Sequence, residues 1–555
     1  MRIAVEGCSH GELDQIYQKV LARESQDGAF FDVLLLCGDF QAIRNHADLH
    51  SIAVPDKYRQ LGDFWQYYAR VKRAPLLTLV IGGNHEASNY MHELYYGGWL
   101  APNIYFLGQA GCVEVGDLII SGISGIYKKH DYFRGRYEAQ PYNKSDLRSV
   151  YHTRVYDIAR LKLLPKADVV LSHDWPNTIE LHGDTQKLIK QKPFFADEIR
   201  THTLGSPPLL ELLHALKPSL WCSAHLHVRF DATFHHGQAQ LDPTSAPASS
   251  LPGSSYPDAG IDAAMADPNQ ISIDDFDDDD IDGAPVSADL SGKTTTDPSA
   301  LTGEPVVNDF GDSEEPLVPV KESGTAPSFA SSAPAETGDE SKSSAATEQS
   351  TATKENRCTT FLALGKCAKY QTFLEFFDIS RNTSGEISLS ATKRAESAAD
   401  IHTQERPLPT FRFHLPWLNI VRALHPWLSL TVQQPPLPPV QELAAKVAEA
   451  EVWQQAQLTS EVSDGGHHPL DVARVQRFVP TAPPPPPESL RMKKLDLRRI
   501  PPSPPYINPQ TVAFCAFVGI DLRINVPLQV PPQLLNTSQL PEFPRMPDPT
   551  PEASV

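Results

Sequence analysis

The chain has 555 residues, enough for two or three domains, and a formal net charge of −20. Residues 241–356 hold 4 Lys/Arg against 24 Asp/Glu, a net −20 that equals the charge of the whole chain, so the acidity excludes nothing about the partners of the nearly neutral segments on either side. No run of about 18 apolar residues is present, which argues against a membrane-spanning helix, and the seven cysteines form no C-x-x-C pair, which argues against a disulfide or zinc-ribbon scaffold and fits a reducing compartment.

Met1 opens directly on a strand-like run, so no signal peptide is expected, and cytosol and nucleus both remain open. In chain order, five short apolar runs each end on side chains that can bind a metal. The run 3–5 leads into Cys8, Ser9 and His10, and the run 33–36 into Cys37, Gly38 and Asp39. The run 76–81 leads into Gly82, Gly83, Asn84, His85 and Glu86. The run 169–171 leads into Ser172, His173 and Asp174, and the run 220–222 into Ser223, Ala224, His225, Leu226 and His227. Longer amphipathic stretches alternate with these runs, which predicts an α/β domain over residues 1–240.

Within that domain, residues 127–155 interleave Lys128, Lys129, Arg134, Arg136, Arg148 and Arg154 with Tyr127, Tyr132, Phe133, Tyr137 and Tyr151. Cations meet phosphates and aromatics stack on unpaired bases, which suits single-stranded RNA. The same composition describes a solvated loop with core tyrosines, and residue types alone leave both readings open.

Residues 241–356 are rich in Ser, Ala, Thr, Pro and acids and poor in aromatics, so they cannot bury enough apolar surface to offset chain entropy and are expected to be a disordered acidic linker. Order is expected again over 357–525, with strands at 359–364 and 372–379, a helix at 417–422 and a further helix at 440–458 between proline clusters. Residues 526–555 form a Pro-rich tail. Arg491, Lys493, Lys494, Arg498 and Arg499 make a small basic cluster of the kind that serves as a nuclear import signal.

Hydrolysis of a phosphodiester near neutral pH needs a strong nucleophile and neutralisation of phosphate charge, and one or two divalent metals supply both. Hard and borderline metals take carboxylate, amide oxygen and imidazole. His10, Asp39, Asn84, His173, His225 and His227 offer that mixture, with Cys8 as a further donor. A lone Gly-Asp or Ser-His after a strand is usually a turn; five such ends in order describe a site at the carboxyl ends of strands. His225 and His227 lie two apart and face the same way on an extended segment. His85 follows a candidate ligand and suits a general acid for the leaving oxygen, a second-layer hydrogen-bonding role being the alternative.

The ordered set resembles the calcineurin-like metallophosphoesterase superfamily, whose blocks read D-x-H, G-D, G-N-H-[DE], H and G-H-x-H. The chain departs from them twice, with Cys8 in place of the first acid and Ala224 in place of the last glycine. Both departures are similar to the RNA lariat debranching branch, which carries G-C-x-H-G at the first block. Longer stretches carry the same resemblance, at 37–45, 82–90, 96–99, 101–105, 124–128, 171–176 and 223–227, and more weakly at 361–367 and 508–515. The resemblance implies a four-layer α/β/β/α sandwich that hydrolyses the 2′–5′ phosphodiester at the branch of excised intron lariats. It implies one metal pocket of Asp39, Asn84, His173 and His225, and another of His10, Asp39 and His227 beside Cys8. The cofactor would be one or two divalent ions, Fe2+, Zn2+ or Mn2+, with a thiol favouring the softer metals. Residues 127–155 match a lariat-recognition loop, which makes Tyr127, Lys128, Lys129, Arg134, Arg136, Arg148 and Arg154 substrate contacts. The same resemblance implies branched RNA as partner, a monomer near spliceosome-associated proteins, and the nucleus. The rival readings are another calcineurin-like activity on phosphoprotein or DNA, and a non-catalytic RNA-binding scaffold.

Overall fold

The computed structural model describes residues 1–237, 358–382, 387–392, 405–460, 468–491 and 496–524. The segment 241–356, the tail 526–555, and Lys493 and Lys494 of the basic cluster lie outside the described residues. The described residues belong to one compact unit.

Among the described residues there are fourteen strands, most of them separated by helices: β1 (Arg2–Glu6), β2 (Val33–Leu36), β3 (Leu77–Val80), β4 (Gly98–Ala101), β5 (Ile104–Phe106), β6 (Ala110–Val115), β7 (Leu118–Ile123), β8 (Val169–Ser172), β9 (Leu220–Ser223), β10 (Phe230–His235), β11 (Cys358–Ala363), β12 (Leu374–Arg381), β13 (Ile387–Ala391) and β14 (Phe411–Phe413). They form two seven-stranded sheets, ordered β13-β12-β1-β2-β3-β5-β4 and β10-β11-β9-β8-β7-β6-β14. The fold is the α/β sandwich expected for a metallophosphoesterase. β1, β2, β3 and β5 run parallel, as do β7, β8, β9 and β11. β2, β3, β8 and β9 are buried at every residue. That explains their unbroken apolar runs, because a parallel strand covered on both faces has no polar side to show.

The helix Leu13–Asp27 turns Leu13, Ile16, Tyr17 and Val20 onto the first sheet, where they meet Leu34, Leu36 and Val80. Gly28 ends it in the left-handed conformation that glycine adopts without strain.

The residues after the acidic insert are woven into the same sheets. β11 lies between β9 and β10, and β12 pairs antiparallel with β1. The expected strands at 359–364 and 372–379 are therefore β11 and β12, and the two expected helices span Leu415–Leu424 and Val440–Ser460. The described residues from 411 onward pack on the phosphoesterase half through apolar, strand-pairing and polar contacts. Tyr105 Oη donates to Gln476 Oε1 at 2.8 Å, and Arg44 bridges Asp48, Glu93 and Thr481. All seven cysteines are free thiols. Among the described residues no helix is long and apolar enough to cross a membrane.

Candidate metal centre

The carboxyl ends of β1, β2 and β3 in one sheet and of β8 and β9 in the other converge on one point. Four of the predicted ligands sit at positive φ: His10 (45°), Asp39 (48°), His225 (62°) and His227 (49°). Non-glycine residues rarely take this conformation, and such strain clusters where a site over-determines the backbone.

Cys8, His10, Asp39 and His227 each offer a ligand atom, and these atoms lie within 4.8 Å of one another. His10 Nε2 and His227 Nε2 are 3.0 Å apart, and His10 Nε2 is 3.6 Å from Asp39 Oδ2. Burial, helped by His227 and His85, holds His10 well below its ordinary pKa against the pull of Asp39, so its imidazole is neutral and offers a lone pair. On the other side of Asp39, His173 Nε2 lies 3.3 Å from Asp39 Oδ1 and 3.1 Å from Asn84 Oδ1. Its Nδ1 is 2.8 Å from the Cys37 carbonyl, which only an N–H at that atom can satisfy. Nε2 thus faces two acceptor oxygens, a geometry that calls for a cation among them, whether a proton or a metal. The Asp39 carboxyl follows the same logic. Burial raises it, but His173, His85 and His10 hold it well below the usual carboxylate range. His225 completes this side, its ring 5.1 Å from that of His173.

The buried Cys8 thiol accepts the His225 N–H at 3.2 Å. Burial, Asp39 and Glu6 push it well above its ordinary value in the absence of a cation, and a divalent ion at the site would reverse that sign. The donor set of imidazole, carboxylate, amide and thiol fits one or two borderline divalent ions.

His85 stands at the rim. Its N–H donates to Asp39 Oδ1 at 2.9 Å, and its ring Nδ1 is 3.6 Å from Asp39 Oδ2. Its side chain remains 19% exposed, so a substrate oxygen can reach it. Gly83 permits this closeness, since a Cβ there would lie 2.2 Å from Asp39 Oδ1.

The predicted RNA contacts divide. Lys129 and Arg148 are exposed, Tyr127 and Lys128 half-buried, and Arg134 keeps 43% of its side chain in solvent beside Asp131. Arg136 and Arg154 are a correction: both are buried and serve the loop's own structure. Arg136 binds Asp157 at 2.6 Å and the Val150 carbonyl at 2.9 Å, and Arg154 binds Glu138 at 2.5 Å and the Asp131 carbonyl at 2.6 Å. A loop this rich in charge must neutralise some of it internally, and composition does not say which cations are spent that way. His130, Asp131 and His152 form a second cluster there. Against burial, His152 and Arg154 hold Asp131 down at about 2, so this carboxylate is already neutralised by its neighbours. The Tyr127 N–H donates to Asp174 Oδ2, which ties the loop's base to the residue after His173.

One positioning residue goes beyond the candidates that the sequence offered. Glu86 accepts from the Phe40, Gln41 and Gly83 N–H groups and so holds the Asp39 turn in place. Its position as the last residue of the Asn84-His85-Glu86 block was the available signal.

The model described as calcineurin-like phosphoesterase matches residues 1–229, and the one described as lariat debranching enzyme, C-terminal domain, matches residues 356–523. The lariat debranching enzyme of Schizosaccharomyces pombe is 35% identical over 543 residues, covering 97% of this chain and 100% of that protein. The human lariat debranching enzyme is 54% identical over 237 residues, 42% of this chain and 44% of that protein. The Arabidopsis thaliana lariat debranching enzyme is 52% identical over 238 residues, 43% of this chain and 57% of that protein. With a relative matched end to end and a strand-end centre that carries Cys8 beside His10, Asp39 and His227, the chain belongs to the lariat debranching enzyme family.

Proposed function

We propose that this protein hydrolyses the 2′–5′ phosphodiester at the branch point of excised intron lariats and so linearises introns for turnover. The observation that carries the reading is the centre around Asp39, in which Cys8 stands among the ligands of a phosphoesterase site. His10, Asp39 and His227, with Cys8 beside them, would hold one divalent ion; Asp39, Asn84, His173 and His225 would hold the other. When bound, the ions supply an activated water and neutralise phosphoryl charge. Fe2+, Zn2+ and Mn2+ are the candidates, with the thiol favouring the first two.

The chain's own residues do the rest. Asp39 orients the His85 main chain through the N–H it accepts, which places the imidazole at the rim. His85 donates a proton to the departing 2′-oxygen as the bond from phosphorus to that oxygen breaks. A water oxygen takes its place on phosphorus, giving a linear intron with a 5′-phosphate and a free branch 2′-hydroxyl. Lys128, Lys129, Arg134 and Arg148 meet phosphates on the recognition loop, and Phe133, 68% exposed, offers a stacking face. The reading also places the protein in the nucleus, as a monomer near spliceosome-associated proteins.

The test is an assay of the full-length protein on 2′–5′ branched RNA, phosphopeptide and linear DNA with each metal in turn, with metal content measured on the same sample. Metal-dependent cleavage of branched RNA alone is expected. Cleavage of phosphopeptide or DNA in preference would assign a different phosphoesterase activity, and no hydrolysis with any metal would leave the scaffold reading.

A further inference from the structure

We infer that Lys366, delivered by the segment that follows the acidic insert, is a substrate-phosphate contact at the metal centre. The inference rests on the phosphodiester reading above and names a residue for it.

β11 ends at Ala363, and the chain turns through residues 364–373 before entering β12. The turn is braced internally: Gly365 N–H donates to the Thr372 carbonyl at 3.0 Å, and Lys366 N–H to Gln371 Oε1 at 2.9 Å. It is docked on the first metal-ligand loop. Cys8 N–H donates to the Gly365 carbonyl at 3.2 Å, Cys367 N–H donates to the Cys8 carbonyl at 2.9 Å, and Gly7 N–H to the Phe373 carbonyl at 3.1 Å. The approach is close enough that a Cβ on Gly7 would lie 2.2 Å from the Gly365 carbonyl oxygen.

These bonds make Cys8 and Lys366 partners in a parallel bridge. Residues opposite one another in such a pair send their side chains to the same side. The Cys8 sulfur points at His10, Asp39 and His227, so the half-buried Lys366 side chain leaves the backbone toward the same centre. A phosphodiester at the centre is an anion, and the ammonium is a compact point charge suited to one of its oxygens or to the neighbouring phosphate. The arrangement also gives the residues after the insert a place in substrate binding as well as in the sheets.

The experiment uses the full-length protein. Lys366→Ala should raise KM for branched RNA about tenfold or more. It should also lower the slope of log affinity against log salt by about 0.7, the value of one phosphate contact on a single strand, with affinity measured in a His85→Ala background so that substrate survives. Metal content and thermal midpoint should stay at wild-type values, and Lys366→Arg should recover most of the affinity. Wild-type KM and salt slope in Lys366→Ala would overturn the inference. So would a loss of bound metal that matches the loss of turnover, because Lys366 would then support the centre and not the substrate. Failure of the wild-type protein to cleave branched RNA takes down both readings, whereas wild-type cleavage with an unaffected Lys366→Ala removes the lysine alone.

Discussion

Glu86 positions Asp39 without offering an atom to the metal. Its Oε1 accepts from Phe40 N–H at 2.7 Å and Gly83 N–H at 3.1 Å, and its Oε2 from Gln41 N–H at 2.8 Å. Glu86→Gln would turn an NH2 onto at least one of these donors. Metal affinity should fall about 10- to 100-fold, the usual cost of removing a partner that orients a ligand, and equilibrium dialysis would measure it. Wild-type affinity would show that the turn holds itself. His85→Ala should behave differently, keeping its metal while turnover drops by about 10²- to 10⁴-fold. Near-normal debranching by that variant would remove His85 from the proton-donor role. At this scale the sequence displays the donor types well, since Asn84-His85-Glu86 and His225-Leu226-His227 read directly as chemistry. It does not display the left-handed backbone at His10, Asp39, His225 and His227, because those conformations are imposed by packing between the two sheets.

Elements show the same division. The apolar runs at β1, β2, β3, β8 and β9 were legible because buried parallel strands need continuous apolar sequence. The partners of β11 and β12 were not, since an apolar run carries no address. The helix Leu415–Leu424 gives a pH prediction at this scale. His425 follows it, buried, with Nδ1 3.1 Å from the Tyr96 hydroxyl, and burial followed by Arg523 lowers its pKa to about 4. The unfolded chain takes up a proton near pH 6.5, while the folded chain refuses it until about 4. The contribution of His425 is therefore complete above pH 6.5 and is lost as pH falls toward 4, by up to about 3 kcal/mol. The thermal midpoint should drop across that window, and His425→Gln should flatten the drop. Parallel curves for the two proteins would show that His425 takes up its proton in the fold.

At the scale of the whole molecule, β10 and β11 are antiparallel with His235 opposite Cys358. The described chain therefore leaves one strand and re-enters at the neighbouring strand of the same sheet. Long connections cost little more closure entropy than short ones, so the fold is expected to tolerate a much shorter connection. Replacing 241–351 with a short Gly/Asn turn should preserve the thermal midpoint within a few degrees and keep debranching activity, and a large loss of either would show that the insert contributes directly. Ending the chain at 240 should abolish soluble folded protein, because β1 would lose β12, and β9 and β10 would lose the strand between them. Recovery of debranching when 1–240 and 352–555 are co-expressed as separate chains would establish that the two halves make one sandwich.

The chemistry is legible in short stretches of neighbouring residues: the ligand types at five strand ends, their order, the cysteine in place of an acid, and the charge segregated into 241–356. These were readable because ligand type and strand burial are local properties of a few adjacent residues. The fold selects which loop cations are spent on internal ion pairs, as with Arg136 and Arg154, and which remain outside, as with Lys129 and Arg148. It alone brought residues separated by the acidic insert into neighbouring strands and set Lys366 against Cys8. Both outcomes depend on pairing between distant segments, which no run of neighbouring residues encodes.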